Sequence, residues 1–142
     1  MRVVDANLLI YAVDSDSPRH ERARDWLETT LSEEAPVGLA WIVLLAFLRV
    51  TTRPGILVHP MPAEAAMQYV DSWLRQPCVQ TLVPGPGHWA TLRTLLAATG
   101  TAGNLTSDAH LAAIALECGG TVYSSDHDFR RFPGVSHVDP LA

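Results

Sequence analysis

Four carboxylates stand where apolar runs begin or end. Asp5 follows Val3-Val4 directly and precedes Ala6-Asn7, while Asp108 opens an apolar stretch within Asn104-Leu105-Thr106-Ser107-Asp108-Ala109. Asp126 and Asp128 follow Thr121-Val122-Tyr123-Ser124-Ser125. A lone Asp after a strand is most often a turn former or a helix cap. Acids far apart in sequence, each at an element end, point jointly to one oxygen-rich metal site. Hard divalent cations take oxygen ligands, and Mg²⁺ is commonly held by one or two carboxylates plus waters and the substrate's phosphate oxygens. A cation so held lowers the pKa of bound water, orients it for in-line attack on phosphorus and neutralises the leaving oxygen. Metal-assisted phosphodiester hydrolysis, needing no nucleophilic side chain, is therefore the leading expectation, with Asp5, Asp108 and Asp126 as its acids.

The neighbouring polar residues have two readings each. Asn7 either caps a following helix or hydrogen-bonds Asp5 and orients it. Thr106, Ser107, Ser124 and Ser125 either cap elements or bond a scissile phosphate or a metal-bound water. Arg49 and Arg53 share one helical face, as a solvated surface or as bidentate forks for phosphate. The six histidines show no zinc-type spacing, and His110 and His127 are expected at the surface. Trp26, Trp41, Trp73 and Trp89 fall on apolar stripes and are expected in the core.

The elements that must position these groups alternate between short β-branched runs and helical periods, the pattern of βα units around a parallel sheet. Arg2 to Val4 reads as the first strand. After a loop, Asp16-Ser17-Pro18 starts a helix with the stripe Ala23, Trp26, Leu27 and Leu31. Pro36 to Leu39 is a second strand, followed by a helix on Trp41, Leu44, Leu45 and Leu48 that stops at Pro54-Gly55. Pro62 opens a helix carrying Ala66, Met67, Val70 and Leu74, and Val79 to Val83 is the next strand. Trp89, Leu92 and Leu96 mark a fourth helix, and Leu111, Ile114, Ala115 and Cys118 a fifth, ended by Gly119-Gly120. Thr121 to Ser124 and an edge strand within Val135 to Val138 complete the sheet. In an open α/β sheet, ligands bind beyond the carboxyl ends of the strands where the chain order reverses, and Asp5 and Asp126 both lie at such ends.

Composition narrows the chemistry. The chain has 142 residues, 48% of them hydrophobic, which suits one domain over residues 1–142 with a sizeable core. Its net charge of −5 repels a nucleic-acid backbone at long range, so such a substrate needs local Arg residues or bound cations. All 10 basic residues are Arg. Without Lys, Walker-type phosphate loops, Schiff-base enzymes and Ser-Lys hydrolases are excluded. Cys78 and Cys118 sit among apolar neighbours and read as buried, reduced thiols of a cytoplasmic protein. Met1-Arg2 leads straight into a strand, with no signal peptide. The uncharged stretch from Ala35 to Leu48 is too short for a membrane span.

Four segments together resemble a known family: Val3-Val4-Asp5-Ala6-Asn7-Leu8-Leu9, Trp41-Ile42-Val43-Leu44-Leu45-Ala46-Phe47-Leu48-Arg49, Leu105-Thr106-Ser107-Asp108-Ala109-His110-Leu111-Ala112-Ala113 and Ser125-Asp126-His127-Asp128-Phe129. In this order they are similar to the PIN-domain ribonucleases, specifically the VapC toxins of toxin–antitoxin pairs. The resemblance implies an α/β PIN-like fold, a central parallel sheet of about four to five strands flanked by helices. It also implies an acidic Mg²⁺ or Mn²⁺ site, endoribonuclease activity that stops translation and growth, homodimerisation, and a VapB antitoxin partner that blocks the site. By position, the family's first acid falls on Asp5, its third on Asp108 and its fourth on Asp126, with Asp128 as a supplement; Asn7, Arg49, Thr106 and Ser125 are the supporting or substrate-binding candidates. Many PIN domains carry a Glu where this chain has Ala46. Asp128 or waters then fill that place, or metal binding is weaker, or the chain is a catalytically silent module that binds RNA or a partner. The apolar Ile56-Leu57-Val58 and the helices around it suggest a dimer or a bound antitoxin segment.

Overall fold

Val3 and Val4, buried on both faces, form the middle strand of a five-stranded sheet in the order β3-β2-β1-β4-β5. The computed structural model describes residues 1–142. Its strands are β1 (Arg2–Val4), β2 (Val37–Ala40), β3 (Val79–Leu82), β4 (Thr121–Tyr123) and β5 (His137–Val138), and every pairing is parallel. The helices are α1 (Ala6–Val13), α2 (His20–Ser32), α3 (Trp41–Thr52), α4 (Ala63–Leu74), α5 (His88–Thr99) and α6 (Thr106–Glu117). The chain winds outward from β1 through β2 to β3, then returns to the other side of β1 for β4 and β5. The direction of winding reverses between β1 and β4, which is where parallel sheets open a crevice for ligands. Val4 pairs with Tyr123 in register, so Asp5 and Ser124 leave the sheet side by side. The α/β parallel architecture expected from the sequence is the one observed.

Five local expectations are corrected. The stretch after Asp5 is a helix, α1, rather than a loop, with Ala6, Leu8, Leu9 and Ala12 buried. Leu8 to Ala12 is apolar without a break, because α1 packs against both α2 and α3, so no wet face marks its period. Helix α2 begins at His20, later than Asp16-Ser17-Pro18 suggests, because Asp14 and Ser17 side chains accept backbone N–H bonds from Asp16 and Arg19 and make turns there. Helix α3 buries Val43, Leu44, Phe47 and Thr51, whereas Trp41 is 48% and Leu45 57% exposed. It follows β2 without a linker, so the strand sets the helix phase. Of the tryptophans only Trp73 is buried, against Phe47 with ring centroids 4.7 Å apart; Trp89 is 67% exposed. Cys78 is buried, but Cys118 is exposed at the C-cap of α6.

Helix α6 buries Ala109, Leu111, Ala112, Ala113, Ile114 and Ala115, nearly its whole circumference. Small side chains let it sit close to the sheet, and its first turn lies beside the crevice. Gly119, at φ 65°, ends it in the left-handed conformation, and the Gly120 N–H donates to the Ala115 carbonyl. No helix is long and apolar enough to cross a membrane.

Candidate metal centre

Asp5 ends β1 in extended backbone and caps α1, its Oδ1 accepting the Ala6 N–H at 2.8 Å. Its Oδ2 accepts the Ser124 hydroxyl at 2.7 Å. Ser124 is fully buried, and its Oγ also accepts Asn7 Nδ2 at 3.1 Å and the Asp126 N–H at 3.0 Å. One donated and two accepted bonds exhaust a hydroxyl. Ser124 thus ties the ends of β1, α1 and β4 into one rigid corner. Asn7 therefore acts on Asp5 through Ser124 rather than directly, and Asp5, not Asn7, supplies the helix cap. The Ser125 N–H lies 3.5 Å from Asn7 Oδ1, and its side chain makes no hydrogen bond.

Beyond this corner, Asp126 caps a 3₁₀ turn over His127–Arg131, its Oδ1 accepting the Asp128 N–H at 2.9 Å. The turn brings Asp128 back beside Asp126, and the first turn of α6 brings Asp108 to both. Oxygens of Asp108, Asp126 and Asp128 lie within 4.8 Å of one another. Asp5 is outside that trio but adjacent, since its charge acts on Asp108 and that of Asp126 acts on it.

Crowded carboxylates hold their protons. Burial, above all, pushes Asp108 up from 3.8 to about 7, helped by the charges of Asp5, Asp126 and Asp128. Asp5 is also raised, chiefly by burial and further by Asp126; the bonds from Ser124 and Ala6 and the nearby His137 oppose the shift. Such repulsion is what a divalent cation relieves. The donors are all carboxylate oxygens, the set that hard cations take, so the trio is an acidic group able to bind metal.

No side-chain hydrogen bond joins the other candidates to these acids. Thr106 is exposed at the start of α6 and makes no side-chain hydrogen bond; Arg49 is exposed on α3 without an ion pair. Ala46 is half-buried and packs on the core, supplying no ligand. His127 is exposed and pairs with Asp139 at 2.8 Å, but His110 is half-buried against His88, not free at the surface. Sequence reasoning missed Ser124 as the hub, because adjacent serines look alike until the pleat decides which turns inward. It also missed His137, whose Nε2 lies 2.8 Å from the Ser124 carbonyl through the β4–β5 pairing. Only the register of that edge strand reveals it.

Comparison with known proteins identifies the family. The family described as PIN domain matches residues 2–135. Ribonuclease VapC37 of Mycobacterium tuberculosis is 43% identical over 142 residues, covering 100% of this chain and 99% of the relative. The crystal structure of M. tuberculosis VapC20, described as a Sarcin-Ricin loop cleaving toxin, superposes with a TM-score of 0.70 at 19% identity, covering 96% of this chain and 99% of that one. VapBC2 from Rickettsia felis, bound to a DNA fragment from their promoter, gives a TM-score of 0.67 at 17% identity, with 96% of each chain covered. The family match over residues 2–135 and the 43% identity to VapC37 along the full chain place the protein in the PIN domain family, on its VapC branch.

Proposed function

We infer that this chain, as one PIN domain over residues 1–142, is a metal-dependent endoribonuclease, the toxin of a VapBC-type toxin–antitoxin pair, and acts in the cytoplasm to inhibit translation and growth. The observation that carries this reading is the trio Asp108, Asp126 and Asp128 gathered beside Asp5 in a chain 43% identical to VapC37. Asp108, Asp126 and Asp128 would hold Mg²⁺ or Mn²⁺ with Asp5 alongside as the first acid, and Asp128 or waters would take the place of the Glu absent at Ala46. The bound cation supplies an activated water and charge neutralisation at phosphorus. The chain's own part is positional. Ser124 and the Ala6 N–H lock the Asp5 carboxylate, and the 3₁₀ turn fixes Asp126 and Asp128 relative to each other. Arg49 and Arg53, both exposed and free of ion pairs, are available to the RNA backbone of a substrate otherwise repelled by a net charge of −5. A VapB-type antitoxin covers the site, and two toxin copies pair as a homodimer.

The test is cleavage of structured RNA by purified, antitoxin-free protein in Mg²⁺ or Mn²⁺, abolished by chelation. Asp126→Asn should lower the rate by about 10²-fold or more. Equal cleavage by wild type and Asp126→Asn overturns the assignment. Ala46 favours one rival, a silent module that binds RNA or its partner without cutting. Growth arrest on expression of the chain alone, relieved by Asp108→Ala, excludes that rival.

A further inference from the structure

Away from the acids, α5 and α6 meet through a chain of three side chains. His110 lies two residues beyond Asp108 on α6, and residues two apart on a helix leave it on opposite sides. His110 accordingly faces α5, where its Nδ1 is 2.8 Å from His88 Nε2, with the two rings at 82°. On its other side, His88 Nδ1 lies 3.0 and 3.2 Å from the two carboxylate oxygens of Glu117. An ionised carboxylate only accepts, so His88 carries its proton on Nδ1 and presents a bare lone pair at Nε2. That lone pair accepts the Nδ1–H of His110. If His110 moves its proton from Nδ1 to Nε2, with no change in charge, both facing nitrogens offer lone pairs to one point.

We propose that His88 and His110 form a second cation site, selective for Zn²⁺ over Mg²⁺, with Glu117 orienting His88 from behind. The carboxylate–histidine–metal arrangement is the usual way a zinc-bound imidazole is fixed in tautomer and direction. Tetrahedral Zn–N bonds of about 2.0–2.1 Å require the nitrogens to stand about 3.3 Å apart, so the rings need to part by about half an ångström and to tilt until both lone pairs aim at the cation instead of at each other. Waters complete the coordination, and the half-buried rings leave access from solvent. Imidazole nitrogens select Zn²⁺ and its borderline neighbours, whereas the carboxylate trio selects hard cations, so the two sites divide the metals between them. Zinc here clamps α5 onto the helix that presents Asp108.

The experiment titrates Zn²⁺ alone, by calorimetry, into the full chain carrying Asp108→Asn and Asp126→Asn, which disables the acidic trio. One equivalent should bind, Tm should rise by about 5 °C at saturation, and Mg²⁺ should do neither. On that background His110→Gln and His88→Gln should lose the equivalent, and Glu117→Gln should weaken binding by about 10-fold or more. No zinc uptake by the background protein overturns the proposal, as does unchanged affinity in either histidine variant shown to be folded by circular dichroism. Should those variants misfold, the Co²⁺ absorption spectrum of the folded background protein decides: nitrogen ligation supports the site and all-oxygen ligation refutes it. Neither outcome bears on the nuclease reading, which rests on other residues.

Discussion

A carboxyl group that keeps its proton to about pH 7 makes Asp108 responsive to conditions near neutrality. Cation binding needs it ionised, so metal affinity should climb as pH rises from about 6 to 8 and level off above. The stability of the metal-free protein should move the other way. The folded-state pKa lies above the ordinary 3.8, so the folded form binds the extra proton between those values and loses stability as pH rises through them. Asp108→Asn should therefore stabilise the metal-free protein at pH 8 by about 1–2 kcal/mol, allowing for solvent screening of a half-buried group, and leave it unchanged near pH 3. Urea melts of both proteins at the two pH values measure this; a gain of equal size at both would assign the effect to packing instead of charge.

At the scale of elements, the site depends on how closely β4 lies against β1. Gly120, just before β4, makes that approach possible: a Cβ there would stand 2.9 Å from Val3 Cγ2 and 3.0 Å from the Met1 carbonyl oxygen. Backbone cannot yield as a side-chain tip does. Gly120→Ala should cost about 1–3 kcal/mol by overpacking and shift Ser124 and Asp126 relative to Asp5, with cleavage falling by about 10-fold. Wild-type cleavage in a destabilised Gly120→Ala protein would show that the acids tolerate a looser pairing. Much of this layer was legible beforehand. Strands from short β-branched runs, the helix begun at Pro62 and the Gly119-Gly120 stop all stand where expected, since each is signalled by residues local to it. Helix α1 and the phase of α3 were not, because uninterrupted apolar runs such as Leu8 to Ala12 carry no period and their faces are assigned by neighbours distant in sequence.

For the molecule as a whole, the side chains left uncovered matter most. Trp41 and Leu45 on α3, with Ile56 and Val58 beyond it, are exposed apolar groups close in sequence and on the elements read as a contact surface. As a homodimer the protein should scatter with twice the chain mass at micromolar concentration, and Trp41→Arg combined with Leu45→Arg should give the monomer without loss of fold. A wild-type monomer under those conditions would remove the dimer from the reading. The net charge of −5 belongs to this scale too: it opposes the approach of an RNA backbone unless local positive charge masks it.

By itself, the order of residues determined the chemistry on offer: an all-Arg chain with acids at the ends of Val3-Val4, of Thr121 to Ser124 and at the head of an Ala-rich helix. Those are local signals, since apolar runs and turn formers act over a few residues. Which acids come together was decided only in three dimensions. The parallel register of Val4 with Tyr123 sets Asp5 beside Ser124, and the 3₁₀ turn swings Asp128 into the trio while Asp5 stays alongside. The same holds for Ser124 over Ser125, and for His88 meeting His110 across two helices. Register and helix contact are set by packing over the whole core, and spacing along the chain carries no record of them.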